Sequence, residues 1–325
     1  MIANPFKAST AEGSISGPPS AIDYAGDTLI RVVAFACALA IILLMGYILW
    51  EIGKEAQPAI ERYGLGFFAG TEWNVRGEEF GVLPEIWGTL YSSLLALLIG
   101  GLFGVAIAIF LTQDFIHPKV AAVFRTTVEL LAAIPSVVFG LWGIYVLIPA
   151  LRPPADWLHE HLGMIPFFGT ELNGPGLAPA AIVLSVMILP TVAAISVDAF
   201  RRIPLMIKEA AYAMGTTRWE AIRMVMLPTA SSGILAALVL GFGRALGETM
   251  ALAMLIGNSN QISLSLFAPA NTLASRLASN FPEAGKVEVG ALMYAALALL
   301  AITVIVSAIG LVIQGFTLRK FEGKR

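Results

Sequence analysis

Arg244 and Glu248 stand in a run that is otherwise apolar, Ala230 to Ile256. A guanidinium at bilayer depth costs roughly 2.5–3.5 kcal/mol on insertion scales, so it needs a polar partner or a wet cavity. At i and i+4 of one helix the two side chains share a face and can touch. Arginine offers a planar fork of donors that matches the oxygens of an oxyanion. The carboxylate could keep that fork oriented, take a proton from the anion, or shorten its stay by repulsion. Counted from a helix start near Thr229, Arg244 lies about 15 residues in, on the order of 22 Å and near mid-membrane. An anion pathway is one reading; a structural salt bridge pinning this span to a neighbour is the other. Gly241, Gly243 and Gly247 would serve either, by letting helices or substrate approach the backbone.

A second constellation lies in the charged loop from Phe200 to Pro228. Pro204 suits a first helical turn. Helix-forming residues run on to Met214, with Ala210 and Ala211 exposing almost no side chain, and Gly215 is placed as the stop. A second short helix, Trp219 to Met226, carries Trp219, Ile222 and Val225 on roughly one face, and Pro228 closes the loop. With Glu209 near the tip, this segment reads either as a knob on which another protein docks or as an amphipathic loop lying on lipid.

Other polar residues are read more simply. Ser92, Ser93, Ser136, Ser185, Thr191 and Ser196 lie in spans and are expected to bond helix to helix or to backbone. Glu129, one turn after Arg125, is expected to anchor a span at the inner face. Asp198 with Arg201 and Arg202 reads as an ion cluster at headgroup level, and Arg276 and Lys286 as a solvated outer face or a docking surface. His159 and His161 are spaced i, i+2, off a common helix face, and no cysteine cluster supports a metal site. The one cysteine, Cys37, is read as packing. There is no GxxxxGK[ST] phosphate loop and no G-x-S-x-G elbow in a structured context, so no catalytic role is expected.

These residues must be held by membrane helices. Of 325 residues, 58% are apolar and only 13% charged, against about 25% charged in soluble domains. Apolar runs at Val32–Trp50, Ile86–Gln113, Leu130–Leu151, Leu172–Val197, Thr229–Gly257 and Val289–Leu318 are each long enough to cross a core of about 30 Å. The fold expected is all-α and polytopic, with six spans at about 29–50, 86–112, 126–150, 176–198, 229–257 and 289–315. Thirteen Lys and Arg fall on one side, six on the other, and Arg244 lies between, which puts both termini in the cytoplasm. The layout is a disordered tail over 1–28, a membrane body over 29–318 containing the loop 200–228, and a tail over 319–325. No secretory signal pattern opens the chain, the net charge of −2 carries no nucleic-acid surface, and Ser263 to Ala284 is read as a short interfacial helix.

Glu209-Ala210-Ala211, three residues, Gly215, nine residues, Val225, one residue, Leu227-Pro228 resembles the EAA loop of ABC-transporter permeases, with Val225 in place of the usual isoleucine. Pro58 to Trp73-Asn74, Leu131 to Gly140 and above all Gly243-Arg244-Ala245-Leu246-Gly247-Glu248-Thr249-Met250-Ala251 resemble the PstC family of phosphate permease subunits, within the MetI-like inner-membrane permeases. The resemblance runs from about Asp27 to Gly315. It implies a six-helix MetI-like permease in a bacterial inner membrane. The loop, with Glu209, Ala210, Ala211, Gly215, Leu227 and Pro228, would form a coupling helix set in a groove of an ATPase. It further implies a PstA-like second permease, a PstB-like ATPase dimer carrying ATP and Mg, and a PstS-like binding protein outside, with no cofactor in this chain. Rival readings are a permease for another oxyanion such as molybdate or sulfate, a gradient-driven secondary transporter or channel, and a sensor scaffold.

Overall fold

A computed structural model describes residues 21–113 and 115–322. Of the disordered tail expected over residues 1–28, residues 1–20 lie outside the described residues, as do the last three residues, and 21–28 are helical. The chain divides into two units, residues 1–51 and 52–325. The first contains most of helix α1, Ala21–Tyr63, which begins ahead of the expected boundary at 29. Its apolar side chains, among them Leu29, Phe35, Ile41 and Tyr47, are exposed, so lipid or another chain must cover them.

The second unit begins with the last turns of α1. A two-residue hairpin follows, β1 Trp73–Asn74 paired antiparallel with β2 Glu79–Phe80. Then come α2 Leu83–Thr112, α3 Pro118–Ala133, and α4 Ser136–Trp142, which passes through a π turn at Gly143–Leu147 into α5 Ile148–Leu162. Next are α6 Leu177–Arg201, α7 Leu205–Ala213 and α8 Arg218–Ala221, the last running through a second π turn into α9 Leu227–Gly247. The chain ends with α10 Met250–Leu255, α11 Leu273–Asn280 and α12 Lys286–Glu322. Six helical stretches among the described residues are long and apolar enough to cross a membrane.

Three of those stretches differ from the sequence expectation, the first running from Tyr24 to Phe68 and so well past the expected end at 50. The third is Ser136–Leu162, not 126–150. Pro135 lacks an amide proton and holds Ile134 extended at φ −71°, ψ 127°, so the apolar run splits and α3 becomes a separate helix. The fifth begins at Arg218 and ends at Gly247. Pro228 therefore does not close the loop: the π turn at Ile222–Met226 takes up the proline and the helix runs through it.

Helix α6 is central, with fifteen of its 25 residues buried. α2 packs most extensively on it and α9 packs on both α6 and α2, with α12 against α9. Small residues make the approach possible. A Cβ on Gly100 would lie 2.5 Å from the Ser185 carbonyl oxygen, and one on Gly104 2.9 Å from Val192.

At the end where the hairpin lies, Arg276 on α11 is buried and bonds Glu85 at the start of α2. The sequence expectation of a solvated or docking arginine is thus corrected for Arg276; Lys286 is exposed. Burial is possible because a carboxylate and the Trp73 ring, 5.1 Å from the guanidinium carbon, compensate the charge. Glu288 completes the network, accepting from Trp73 Nε1 at 3.1 Å and Asn280 Nδ2 at 3.0 Å. Of the interfacial helix expected over Ser263 to Ala284, only α11 forms as α-helix, and its first turn, Leu273 to Arg276, is buried.

Candidate functional site

Arg244 sits in the last turn of α9, where the helix dipole favours a cation. Its Nη1 donates to Thr191 Oγ1 on α6 at 3.2 Å. Both belong to the surface of this chain, Arg244 exposed and Thr191 half-buried. The glycines around it divide in role. Gly241 is buried, with a Cβ there meeting Val192 at 2.7 Å, whereas a Cβ on Gly243 or Gly247 would meet nothing within 4 Å. The Arg244 side of α9 is therefore open.

Glu248 does not sit one helical turn beyond Arg244. The helix stops at Gly247, and Glu248 is extended at φ −68°, ψ 128°. Its Oε1 instead accepts, at 3.5 Å, from the amide of Ala251 in the next helix, while Thr249 Oγ1 donates to the Gly247 carbonyl at 3.1 Å. Local capping bonds compete with helix continuation here, and the i, i+4 ion pair expected from spacing is absent among the described residues. Arg244 is left with one neutral hydroxyl partner and most of its five N–H donors uncommitted. Thr191 was legible only as one polar residue in a span; its role as the arginine's partner depends on α6 lying beside α9.

The other expected span hydroxyls divide, and among the described residues no helix-to-helix bond is seen for Ser92, Ser93, Ser185 or Ser196. Ser92 donates to the Gly88 carbonyl and Ser185 to that of Ile182, while Ser93 and Ser196 are buried without a partner.

The loop at Phe200 to Pro228 is built as two helices at an elbow. α7 ends with Met214 N–H bonded to the Ala210 carbonyl at 3.2 Å and Gly215 N–H to that of Tyr212 at 2.9 Å. Gly215 has φ +80°, a left-handed conformation that costs a residue with a Cβ. α8 starts with a capping box: Thr217 Oγ1 accepts from Glu220 N–H at 3.3 Å and Thr217 N–H donates to Glu220 Oε2 at 2.8 Å. Glu209 and Ala210 are exposed, but Ala211 is buried and packs in the cluster of Phe200, Ile203, Ile222 and Met226. The expected shared face of Trp219 and Ile222 does not form, since Ile222 is buried and Trp219 is 64% exposed. Leu205, Met206, Met214, Trp219 and Met224 together present an apolar surface at the tip. Leu227 and Pro228 lie inside the continuous helix that joins this loop to Arg244.

Comparison with known proteins fits this architecture. Residues 104–320 match the family model of the binding-protein-dependent transport system inner membrane component. The phosphate transport system permease protein PstC of Mesorhizobium japonicum is 37% identical over 289 residues, 87% of this chain and 88% of the relative. PstC of Haemophilus influenzae is 37% identical over 286 residues, 86% of this chain and 90% of its own. Among solved structures, a chain of a bacterial alginate ABC transporter, in complex with an alginate pentasaccharide-bound periplasmic protein, superposes with a TM-score of 0.61. It is 16% identical over 88% of this chain and 94% of that one, a likeness of fold. The chain is thus a multi-pass inner-membrane permease subunit of an ABC importer, not a catalyst, working with ATPase and binding-protein components. It belongs to the family of binding-protein-dependent transport system inner membrane components and groups within it with the PstC permeases.

Proposed function

We propose that this chain forms half of the pathway of an inorganic phosphate importer and that Arg244 is its mid-path anion contact. The observation that carries this reading is an exposed arginine, in the last turn of a spanning helix just before the break at Glu248, whose one partner is the neutral Thr191 hydroxyl. A guanidinium already paired with a carboxylate would have to give up that bond to meet an anion; this one does not. A single arginine is also a weak site, which suits a path whose affinity resides in a separate binding protein. Glu248, in the helix break four residues on, limits the anion's stay by like-charge repulsion.

The partners are a PstA-like permease as the other half of a heterodimer, a PstB-like ATPase dimer that holds ATP and Mg, and a PstS-like phosphate-binding protein. The Phe200 to Pro228 loop seats on the ATPase through Glu209, Ala210 and the exposed Met and Trp side chains. Its motion passes to Arg244 because residues 218–247 are one helical rod.

Replacing Arg244 with Gln in the reconstituted transporter tests this. Phosphate uptake falls while the four-component complex still assembles and hydrolyses ATP; loss of assembly instead marks a structural residue. Competition of labelled phosphate uptake by molybdate or sulfate separates phosphate from another oxyanion.

A further inference from the structure

Two adjoining cavities open along the seam of α2, α3 and α6, of about 270 and 280 Å³, and both are lined by Leu111, Arg125 and Val197. Each far exceeds the ~10–15 Å³ that one water needs. The first also carries Glu129, Thr191 and Asp198, and the second carries Arg201. Thr191 is the residue that holds Arg244. The polar groups therefore follow one another from Arg244 through Thr191 to Arg125 and then Arg201. Thr191, Asp198 and Arg201 follow the run of α6 toward the end that the charge distribution assigns to the cytoplasm. At 1.5 Å per residue, Thr191 to Arg201 spans on the order of 15 Å.

Arg125 is at present paired with Glu129 through Nε at 2.8 Å, with the two side chains 49% and 59% exposed. A pair on the open surface of this chain, outside its packed core, is held by its own contact and can exchange partners. Arg125 can thus leave Glu129 for an oxyanion and return to it. Helix α3 itself has no buried residue, and Pro135 separates it from α4, so its cationic face is not fixed by core packing.

We propose that Arg125 is a second oxyanion contact on the inward half of the path, where the anion passes from Arg244 along Thr191 toward Arg201. This rests on the pathway reading of Arg244 and extends it. Glu129 and Asp198 flank the contact; as fixed negative charges they keep the anion from lodging and hold the arginine when the path is empty.

The test uses the complete transporter, with partner permease, ATPase and binding protein, in proteoliposomes. Arg125→Gln lowers the maximal rate of phosphate uptake on the order of tenfold, the scale of one lost charge-assisted hydrogen bond, without changing assembly. Arg125→Lys, which keeps the charge but not the fork, retains an intermediate rate. In a Cys37→Ser background, Arg125→Cys reacts with an anionic thiol reagent from the cytoplasmic side, and inorganic phosphate slows that reaction. Normal uptake by Arg125→Gln, or labelling indifferent to phosphate, overturns the proposal. So does a defect that vanishes in vesicles of purely zwitterionic lipid, since Arg125 would then be acting through a net-anionic lipid headgroup. Arg244→Gln runs in parallel. If it is defective while Arg125→Gln is normal, only the inner relay falls; if both are normal, the pathway reading itself fails.

Discussion

Arg276 donates through both Nε and Nη2 to one oxygen of Glu85, at 3.0 and 2.5 Å, and the two residues are 7% and 0% exposed. The second Glu85 oxygen is buried without a partner, so this pair bears a desolvation cost that its geometry only partly offsets. It ties α2 to α11, 191 residues apart in sequence, and brings Trp73 of the hairpin with it. Glu85→Ala should therefore lower the stability of the purified complex by about 3–5 kcal/mol, because it strands a buried guanidinium. Glu85→Leu combined with Arg276→Met should restore most of that loss. Thermal unfolding in detergent checks both, and a single variant as stable as the parent would mean the pair is solvated.

How much of this was legible in the sequence varies with the range of the interaction. The six apolar runs and the elbow at Gly215 depend on local composition and local backbone preference, and both could be read directly. Arg244 stood out because a charge within an apolar run is a local anomaly. Its relation to Glu248 was not legible. The run from Met250 to Ile256 keeps the same apolar character across the break, and the alternative bonds of Glu248 and Thr249 only appear once the chain is folded. Arg276 was misread for a related reason: a buried charge requires a partner, and no window of sequence contains both it and Glu85. The third span was misplaced because apolar residues continue on both sides of Pro135, so composition hid what the ring does to Ile134.

The start of α2 is held by close backbone approach as well as by charge. A Cβ on Gly88 would lie 1.9 Å from the Asn271 carbonyl oxygen, a backbone atom that cannot rotate away. Gly88→Ala should cost about 1–3 kcal/mol or more through forced separation of α2 from the segment before α11. Gly53→Ala, where nothing lies within 4 Å, should be neutral or slightly stabilising. The fraction of complex surviving a heating step distinguishes them, and equal behaviour of the two would refute the contact.

The capping box on α8 predicts a local effect. Thr217→Ala removes the acceptor for the Glu220 amide and should cost about 1 kcal/mol, with Thr217→Ser retaining most of it. Hydrogen exchange of the amides from Arg218 to Ala221 should accelerate about fivefold in the alanine variant. Unchanged exchange would show that packing of Ala221 and Ile222 alone holds this turn.

Gly215 offers the sharpest separation between coupling and passage. Its φ of +80° is what turns the chain from α7 into Thr217, and a β-branched residue there carries a penalty of about 1–2 kcal/mol. The strain falls on an exposed elbow in which no Cβ would meet another atom, so the membrane helices should fold normally and only the angle of the tip should suffer. Gly215→Val is expected to reduce the ATPase recovered with the permease, or to leave ATP hydrolysis that no longer drives uptake, while Gly215→Asn, which tolerates the left-handed region, keeps more of both. Arg244→Gln should give the opposite pattern, full ATPase recovery with little uptake. Co-purification of the ATPase and uptake per ATP hydrolysed, measured on the two variants side by side, check this: were Gly215→Val to keep its ATPase and its coupling, the elbow would be a connector and the drive would have to enter the 218–247 rod elsewhere.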